Sequence, residues 1–472
     1  MMMKFMFGVT VLSIFGLFIF VNAAVPADMI SSMPGLKVQP NFKQYSGYLK
    51  ASGTKKLHYW FVESQRNPKE DPLVLWMNGG PGCSSVLGLL TEHGPFRIMD
   101  DGKTVYYNNA SWNLLANMIY LEAPAGVGFS YSDDKNYTTS DDMVAHNNYL
   151  ALKDFFSKYP EYSSNAFYVT GESYGGVYVP TLSALVVDDK DINFQGMVIG
   201  NGITSYDLND NSLIYFAYYH GLFGEKLWDG LVKYCCNGNF SGQCMFTKGT
   251  STECKEYVTQ ASQLVYASGL NIYNLYGECA GGVQKSSLKF DAVKEKIVSH
   301  NFEEFQLTKQ LVKSNRLLLD PPCINATNVA TYLNTVQVRT TLHIPSVVQK
   351  WTSCSGEVGA NYIRDYMEMS AQYKKILAAK KRVMVYNGDV DMACNFLGDE
   401  WFVENLEIDV VAERLEWFYE AEDGSKQVAG FVKQFKDLDL VTVRGAGHMV
   451  PTDKPLPAFQ MFKNFLSIKF KK

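Results

Sequence analysis

An α/β fold, with a mainly parallel sheet covered by helices on both faces and a disulfide-rich insertion, is what this 472-residue sequence predicts. Three observations predict it. Short apolar runs of strand length recur in the first and last thirds of the chain. Stretches of helical spacing with few breakers lie between the early ones. From about 205 to 323 the strand-like runs thin out, and six of the nine cysteines gather there.

Taken in order, Lys4 is followed by an uncharged apolar run from Phe5 to Val21 and then Asn22, Ala23 and Ala24. A basic start, an apolar core and small residues describe a secretory signal peptide over 1–23, cut after Ala23. The rival is an uncleaved anchor, but the run is at the short end for a spanning helix. Residues 44–64 alternate apolar and polar around Gly53, as an antiparallel hairpin does. Leu73–Met77, Met118–Leu121, Phe167–Thr170, Met197–Ile199, Val383–Tyr386 and Leu440–Val443 have the look of buried strands, and Asp142–Tyr159 and Gly176–Val187 of helices. Strand and helix in alternation predict a parallel sheet with both faces covered. The expected organisation is therefore a core in two parts, 24–204 and 324–472, with a cap inserted at 205–323. Within the cap Lys285–Arg316 is rich in Lys, Glu and other polar residues, and is expected to be a mobile, protease-accessible stretch.

Composition narrows the function. Apolar residues make up 47% and charged residues 19%, as in ordinary globular proteins. A formal charge of −5 with no long basic run gives nothing for nucleic acid to bind. The cysteines lie at 83, 235, 236, 244, 254, 279, 323, 354 and 394. In the oxidising compartment implied by the leader most should pair, and an odd number leaves at least one over. Sequons at Asn109, Asn136, Asn239 and Asn325 agree with that route. No His or Cys pair has zinc-ligand spacing with supporting context, so no metal site is expected.

Three stretches carry chemistry. Gly171-Glu-Ser-Tyr-Gly175 runs from a strand into a helix and fits Gly-x-Ser-x-Gly, the sharp turn that exposes a nucleophilic Ser173 above a sheet. As a bare pattern it is weak, since chance supplies on the order of 0.1–0.2 matches in a chain this long. Its strand–turn–helix setting strengthens it. A serine needs a base, and the base an orienting carboxylate. Of seven histidines only His448 sits in a glycine-flanked loop after a late strand. Asp391 lies just past an earlier strand, with Asp389 as its local competitor; the order Ser, Asp, His is the one this architecture uses. His58, His93, His146, His220, His300 and His343 have no such context. The developing oxyanion requires two N–H donors. One is expected from Tyr174, the other from the glycine-rich loop that begins at Trp76-Met-Asn-Gly-Gly-Pro-Gly-Cys-Ser-Ser.

That loop, Gly-Glu-Ser-Tyr-Gly and Gly445-Ala-Gly-His-Met-Val-Pro together closely resemble the serine carboxypeptidases, from about Gln44 to the C-terminus. The resemblance implies an α/β-hydrolase fold and a peptidase that releases C-terminal residues through an acyl-enzyme at Ser173, without a cofactor. It implies Ser173, Asp391 and His448 as the triad, and Gly80 and Tyr174 as oxyanion donors. Asn78, Gly79, Glu92 and Glu172 would hold the substrate carboxylate, with Trp76 positioning Asn78 and Glu172. The implied disulfides are Cys83–Cys354, Cys235–Cys254, Cys236–Cys244 and Cys279–Cys323, with Cys394 free near the leaving-group side of the cleft. Lysosomal members are the most similar, which implies a lysosomal or secreted address, a homodimer and association with lysosomal glycosidases. An esterase or acyltransferase on the same scaffold, or a non-catalytic stabilising partner, are the alternatives. Two departures stand out: a longer Cys236–Cys244 loop, and a poor match over Lys285–Arg316. Glu92 and Glu172 side by side would not both ionise, so a shared proton and a preference for acid pH are expected of the peptidase.

Overall fold

The structure is a computed structural model and describes residues 26–239, 244–283, 288–291, 296–299 and 323–467. The expected leader, and most of Lys285–Arg316, lie outside the described residues. The part of that stretch that is described forms an antiparallel pair, Leu288–Asp291 with Lys296–Ser299.

Ten strands make the spine of one large sheet: β1 (Gln44–Lys50), β2 (Lys55–Val62), β3 (Leu73–Met77), β4 (Asn117–Leu121), β5 (Phe167–Ser173), β6 (Phe194–Gly202), β7 (Arg382–Gly388), β8 (Val410–Glu420), β9 (Lys426–Phe435) and β10 (Leu438–Val443). They lie in the order β1-β2-β4-β3-β5-β6-β7-β10-β9-β8, with the two-residue strand Tyr131–Ser132 added beside β2. The six central strands, from β4 to β10, are parallel. Antiparallel hairpins close both edges. This is an α/β-hydrolase sheet.

Alternation along each strand divides the core. In β3, Leu73, Leu75 and Met77 face the helices α1 (Asp141–Lys158) and α2 (Gly175–Val186), whereas Val74 and Trp76 pack on the opposite face with Trp112 and Phe462. In β7, Val383 and Val385 join the first side, and Met384 and Tyr386 meet the C-terminal helix Pro455–Ser467. Helix starts follow local chemistry: the Ser140 hydroxyl accepts from Met143 N at α1, and Asp141 and Asp142 lie in its first turn, where the helix dipole favours negative charge.

A separate apolar cluster forms around α3 (Tyr206–Tyr219), α4 (Glu225–Cys235) and α5 (Thr252–Tyr266), and takes in Val390, Met392 and Trp401 from the segment after β7. Cys235–Cys254 and Cys236–Cys244 tie this region, Cys279–Cys323 spans its end, and Cys83–Cys354 anchors the loop after β3. No helix among the described residues is long and apolar enough to cross a membrane. All four sequon asparagines are exposed.

Candidate active site

Because β5, β6, β7 and β10 run parallel, their C-terminal ends bring three distant segments to one edge of the sheet. Ser173 ends β5 with φ of +61°, in the left-handed region that a non-glycine residue occupies only when its surroundings impose it. The chain then turns directly into α2. Asp391 follows β7 and His448 follows β10.

The His448 ring bonds through Nδ1 to Asp391 Oδ2 at 2.7 Å. Asp391 is fully buried, and its carboxylate accepts three further bonds: from Asn201 Nδ2 (2.9 Å), Cys394 N (3.1 Å) and Ala393 N (2.9 Å). Such donors hold the carboxylate aimed at the imidazole. Asp389 instead accepts the Gly445 N–H at 2.6 Å, tying two loops together, so of the two aspartates it is Asp391 that meets the imidazole. Among the described residues no hydrogen bond joins Ser173 to His448; in catalytic pairs that bond commonly tightens only around substrate.

Gly79 lies against the nucleophile turn so closely that a Cβ there would stand 2.3 Å from Tyr174 N and 2.7 Å from Ser173 Cβ. Only glycine fits. Gly80 follows with φ of +116°, a conformation that glycine adopts without cost. The Tyr174 ring is pinned by its hydroxyl, which donates to buried Asp141 at 2.8 Å.

Asn78 is the hub of a second cluster. Its Oδ1 accepts from Trp76 Nε1 (2.8 Å) and Gly88 N (3.1 Å), which fixes the amide orientation. Its Nδ2 donates to Glu92 Oε1 (3.0 Å) and Glu172 Oε1 (2.7 Å). Both glutamates are buried, their other oxygens have no protein hydrogen-bond partner, and the two carboxyls meet on the same Asn78 amide nitrogen. Burial pushes Glu172 well above the carboxylate range, and the Glu92 charge pushes it further. Burial also raises Glu92, against the pull of Asn78. Two buried carboxyls held on one amide favour sharing a single proton.

Cys394 is a buried free thiol, held protonated by burial and by neighbouring carboxylates. Its Sγ, with Asp391 and His448, places three potential metal ligands within 4.8 Å of one another. The donor set does not suit an ion: Asp391 already accepts four N–H bonds, and His448 spends Nδ1 on it.

Several residues that shape the site were not read from the sequence. Asn201 bridges Asp391 and the Gly388 N–H. Residues 272–275 stitch the Asp391 and His448 loops together: Ile272 O accepts from Met392 N and Ala393 N, Tyr273 O accepts from His448 N at 2.7 Å, and Leu275 N donates to Val390 O. Asp453 accepts from Gly447 N and Asn274 Nδ2. These are contacts between distant segments, and none has a local pattern. A Gly-Asn-Gly at the end of a strand next to the nucleophile turn was the one available signal, at Asn201.

The family model described as serine carboxypeptidase matches residues 34–468. The chain is 51% identical to the Mus musculus lysosomal protective protein, over 94% of this chain and 95% of that one. It is 42% identical to the Caenorhabditis elegans serine carboxypeptidase ctsa-4.1, over 96% and 97% of the two chains. Among solved structures, the prohormone-processing carboxypeptidase Kex1 of Saccharomyces cerevisiae superposes with a TM-score of 0.70 at 22% identity, covering 94% of this chain and 96% of that one, a likeness of fold.

Proposed function

The chain belongs to the serine carboxypeptidase family, and from that premise we propose how its own residues release the C-terminal residue of a peptide. Ser173 Oγ attacks the scissile carbonyl carbon while its proton passes to His448 Nε2. Asp391, fixed by Asn201 and two backbone N–H groups, steadies the imidazolium that forms. The oxyanion is taken by the N–H groups of Gly80 and Tyr174. As the C–N bond breaks, His448 returns the proton to the departing amine, and the amino acid leaves. Water, deprotonated by the same imidazole, then cleaves the acyl-enzyme.

The observation that carries the exopeptidase reading is the buried Glu92–Glu172 pair gripped by one asparagine. A protonated carboxyl donates a hydrogen bond to the substrate's terminal carboxylate, together with Asn78 and the Gly79 main chain, and Trp76 holds Asn78 in place. Because both acids are raised, the proton is retained at acid pH and lost as pH rises. Two negative charges then face the substrate carboxylate. Peptidase action therefore favours acid pH, while esters without a free carboxylate tolerate neutral pH.

Incubating the protein with a blocked dipeptide tests this. Release of the last residue at pH 5, falling by pH 8 and lost in Ser173→Ala, is the expected result. Endoproteolytic cleavage, or peptidase and esterase rates that decline in parallel, would sink it. We further propose that residues 205–323 cap the cleft, that the protein resides in lysosomes or outside the cell, and that it forms a homodimer and stabilises lysosomal glycosidases. The support for these is the likeness to a protein named lysosomal protective protein. Any such stabilisation should survive Ser173→Ala.

A further inference from the structure

We propose that Arg97 is a positioning residue for the carboxyl pair: lodged against the main chain of Glu92, its cation lowers the pH at which the pair gives up its shared proton and so sets the upper pH limit of peptidase action. The inference rests on the carboxylate-gripping role given to Glu92 and Glu172 above.

Arg97 is the middle residue of the short strand Phe96–Ile98, whose neighbours Phe96 and Ile98 are buried. Alternation would send its side chain to water. Instead Nη2 donates to the Glu92 carbonyl and Nη1 to that of Phe96, leaving the guanidinium partly buried. Among the described residues no carboxylate pairs with it directly. A desolvated cation without a counter-ion is costly, and burial lowers the Arg97 pKa accordingly, with Glu92 pulling the other way. Tyr106, Tyr120 and His93 are the other titratable groups on which its charge acts. The field of this charge is felt chiefly at Glu92.

The two acids consequently see opposite surroundings. Glu92 faces the imidazole of His448 and the guanidinium of Arg97, and both favour its charge. Glu172 faces Asp391, which opposes its charge. Tyr386, Tyr273 and Cys394 also stand near the pair, and burial keeps all three protonated. On the helix Val450–Asp453, which docks on the Glu92 turn through Thr452, the titratable group is Asp453, held by Gly447 N and Asn274. The sign of the Arg97 effect follows: a nearby cation lowers the pH at which the shared proton is released, so removing it raises that pH.

The experiment compares kcat/KM from pH 4 to 8 for a blocked dipeptide and for an ester lacking a free carboxylate, in the parent enzyme, Arg97→Leu, Arg97→Gln and Arg97→Lys. Leu and Gln should move the alkaline limb of the dipeptide profile upward by roughly half a pH unit. Lys should stay with the parent, and the ester profile should not move. An unmoved limb in a folded neutral variant, or an equal shift with the ester, overturns the role of Arg97. If the parent's dipeptide and ester profiles already coincide, the carboxyl-pair reading fails before Arg97 is reached.

Discussion

Two Ser–His–carboxylate sets lie among the described residues, and by distance alone the wrong one is the better formed. Ser46 Oγ stands 2.9 Å from His58 Nε2, and His58 Nδ1 stands 2.8 Å from Glu122. Its three members are completely inaccessible. Ser46 lies inside β1 and donates to Leu342 O, and Glu122 also accepts from Ser84, Trp351 Nε1 and Phe129 N. That set is a brace joining the hairpin, the loop after β3 and the Trp351 segment. In the other set, the serine stands at the apex of a turn with φ of +61°, beside glycines that bring backbone N–H groups within reach. Hydrogen-bond geometry makes a polar cluster; exposure, an elbow and oxyanion donors make it a catalyst.

The largest contrast between the two sets should come from their serines. Ser173→Ala should lower kcat by about 10⁶-fold, the loss expected when the nucleophile of a unit is removed. Ser46→Ala should leave kcat unchanged and destabilise the fold by about 1–3 kcal/mol, since His58 and the Leu342 carbonyl lose a buried partner. Steady-state kinetics with denaturant unfolding separates the outcomes, and a drop in kcat with Ser46→Ala would remove the distinction. The carboxylates come next. Asp391→Asn should cost about 10⁴-fold in kcat with little loss of stability, by upsetting the imidazole tautomer. Glu122→Gln should do the reverse, costing about 1–3 kcal/mol because an amide cannot accept from every buried donor that meets this carboxylate, and sparing the kcat of the molecules that fold.

Of the Ser46–His58–Glu122 brace the sequence marked only His58, and only as a histidine without a glycine-flanked loop after a late strand. The six central strands were legible because burial on both faces leaves continuous apolar runs, and the nucleophile turn because its glycines are local necessities. Strands β8 and β9 were missed. In β8 most residues are exposed, with Glu413, Arg414, Glu416 and Glu420 among the apolar ones, so no core-facing pattern marks it. Tyr273 and Asp453 were invisible for a different reason. Their roles depend on segments that meet only after folding.

The acid pair offers a smaller but more discriminating effect. Glu172→Gln keeps a neutral donor at the position and removes the charge that would develop there. At pH 5 the loss of one charge-assisted hydrogen bond should reduce dipeptide kcat/KM by about 10- to 100-fold. The ratio of activity at pH 8 to that at pH 5 should rise, because Glu92 alone no longer faces a second carboxylate. A parallel change in ester hydrolysis would place Glu172 in the chemical step and not in the grip on the terminal carboxylate.

The region behind the triad holds a carboxyl that burial keeps protonated into the physiological range. Asp399 is 2% exposed, accepts from Thr204 Oγ1 (2.6 Å) and Asn387 Nδ2 (2.8 Å), and is pushed up to about 7, first by burial. Its acidity in the unfolded chain is near 4. Between those values the native state holds a proton that the unfolded state has lost, so this contribution to stability is complete below about pH 4 and disappears as pH rises through 7. The slope is about 1.4 kcal/mol per pH unit for one such group. Asp399→Asn keeps the two donors in contact with an amide oxygen and removes the titration. Unfolding midpoints measured from pH 4 to 8 should fall with pH in the parent and fall less steeply in the variant. Equal slopes would mean that Asp399 ionises freely inside the fold, and that the acid-side stability of the triad region has another source.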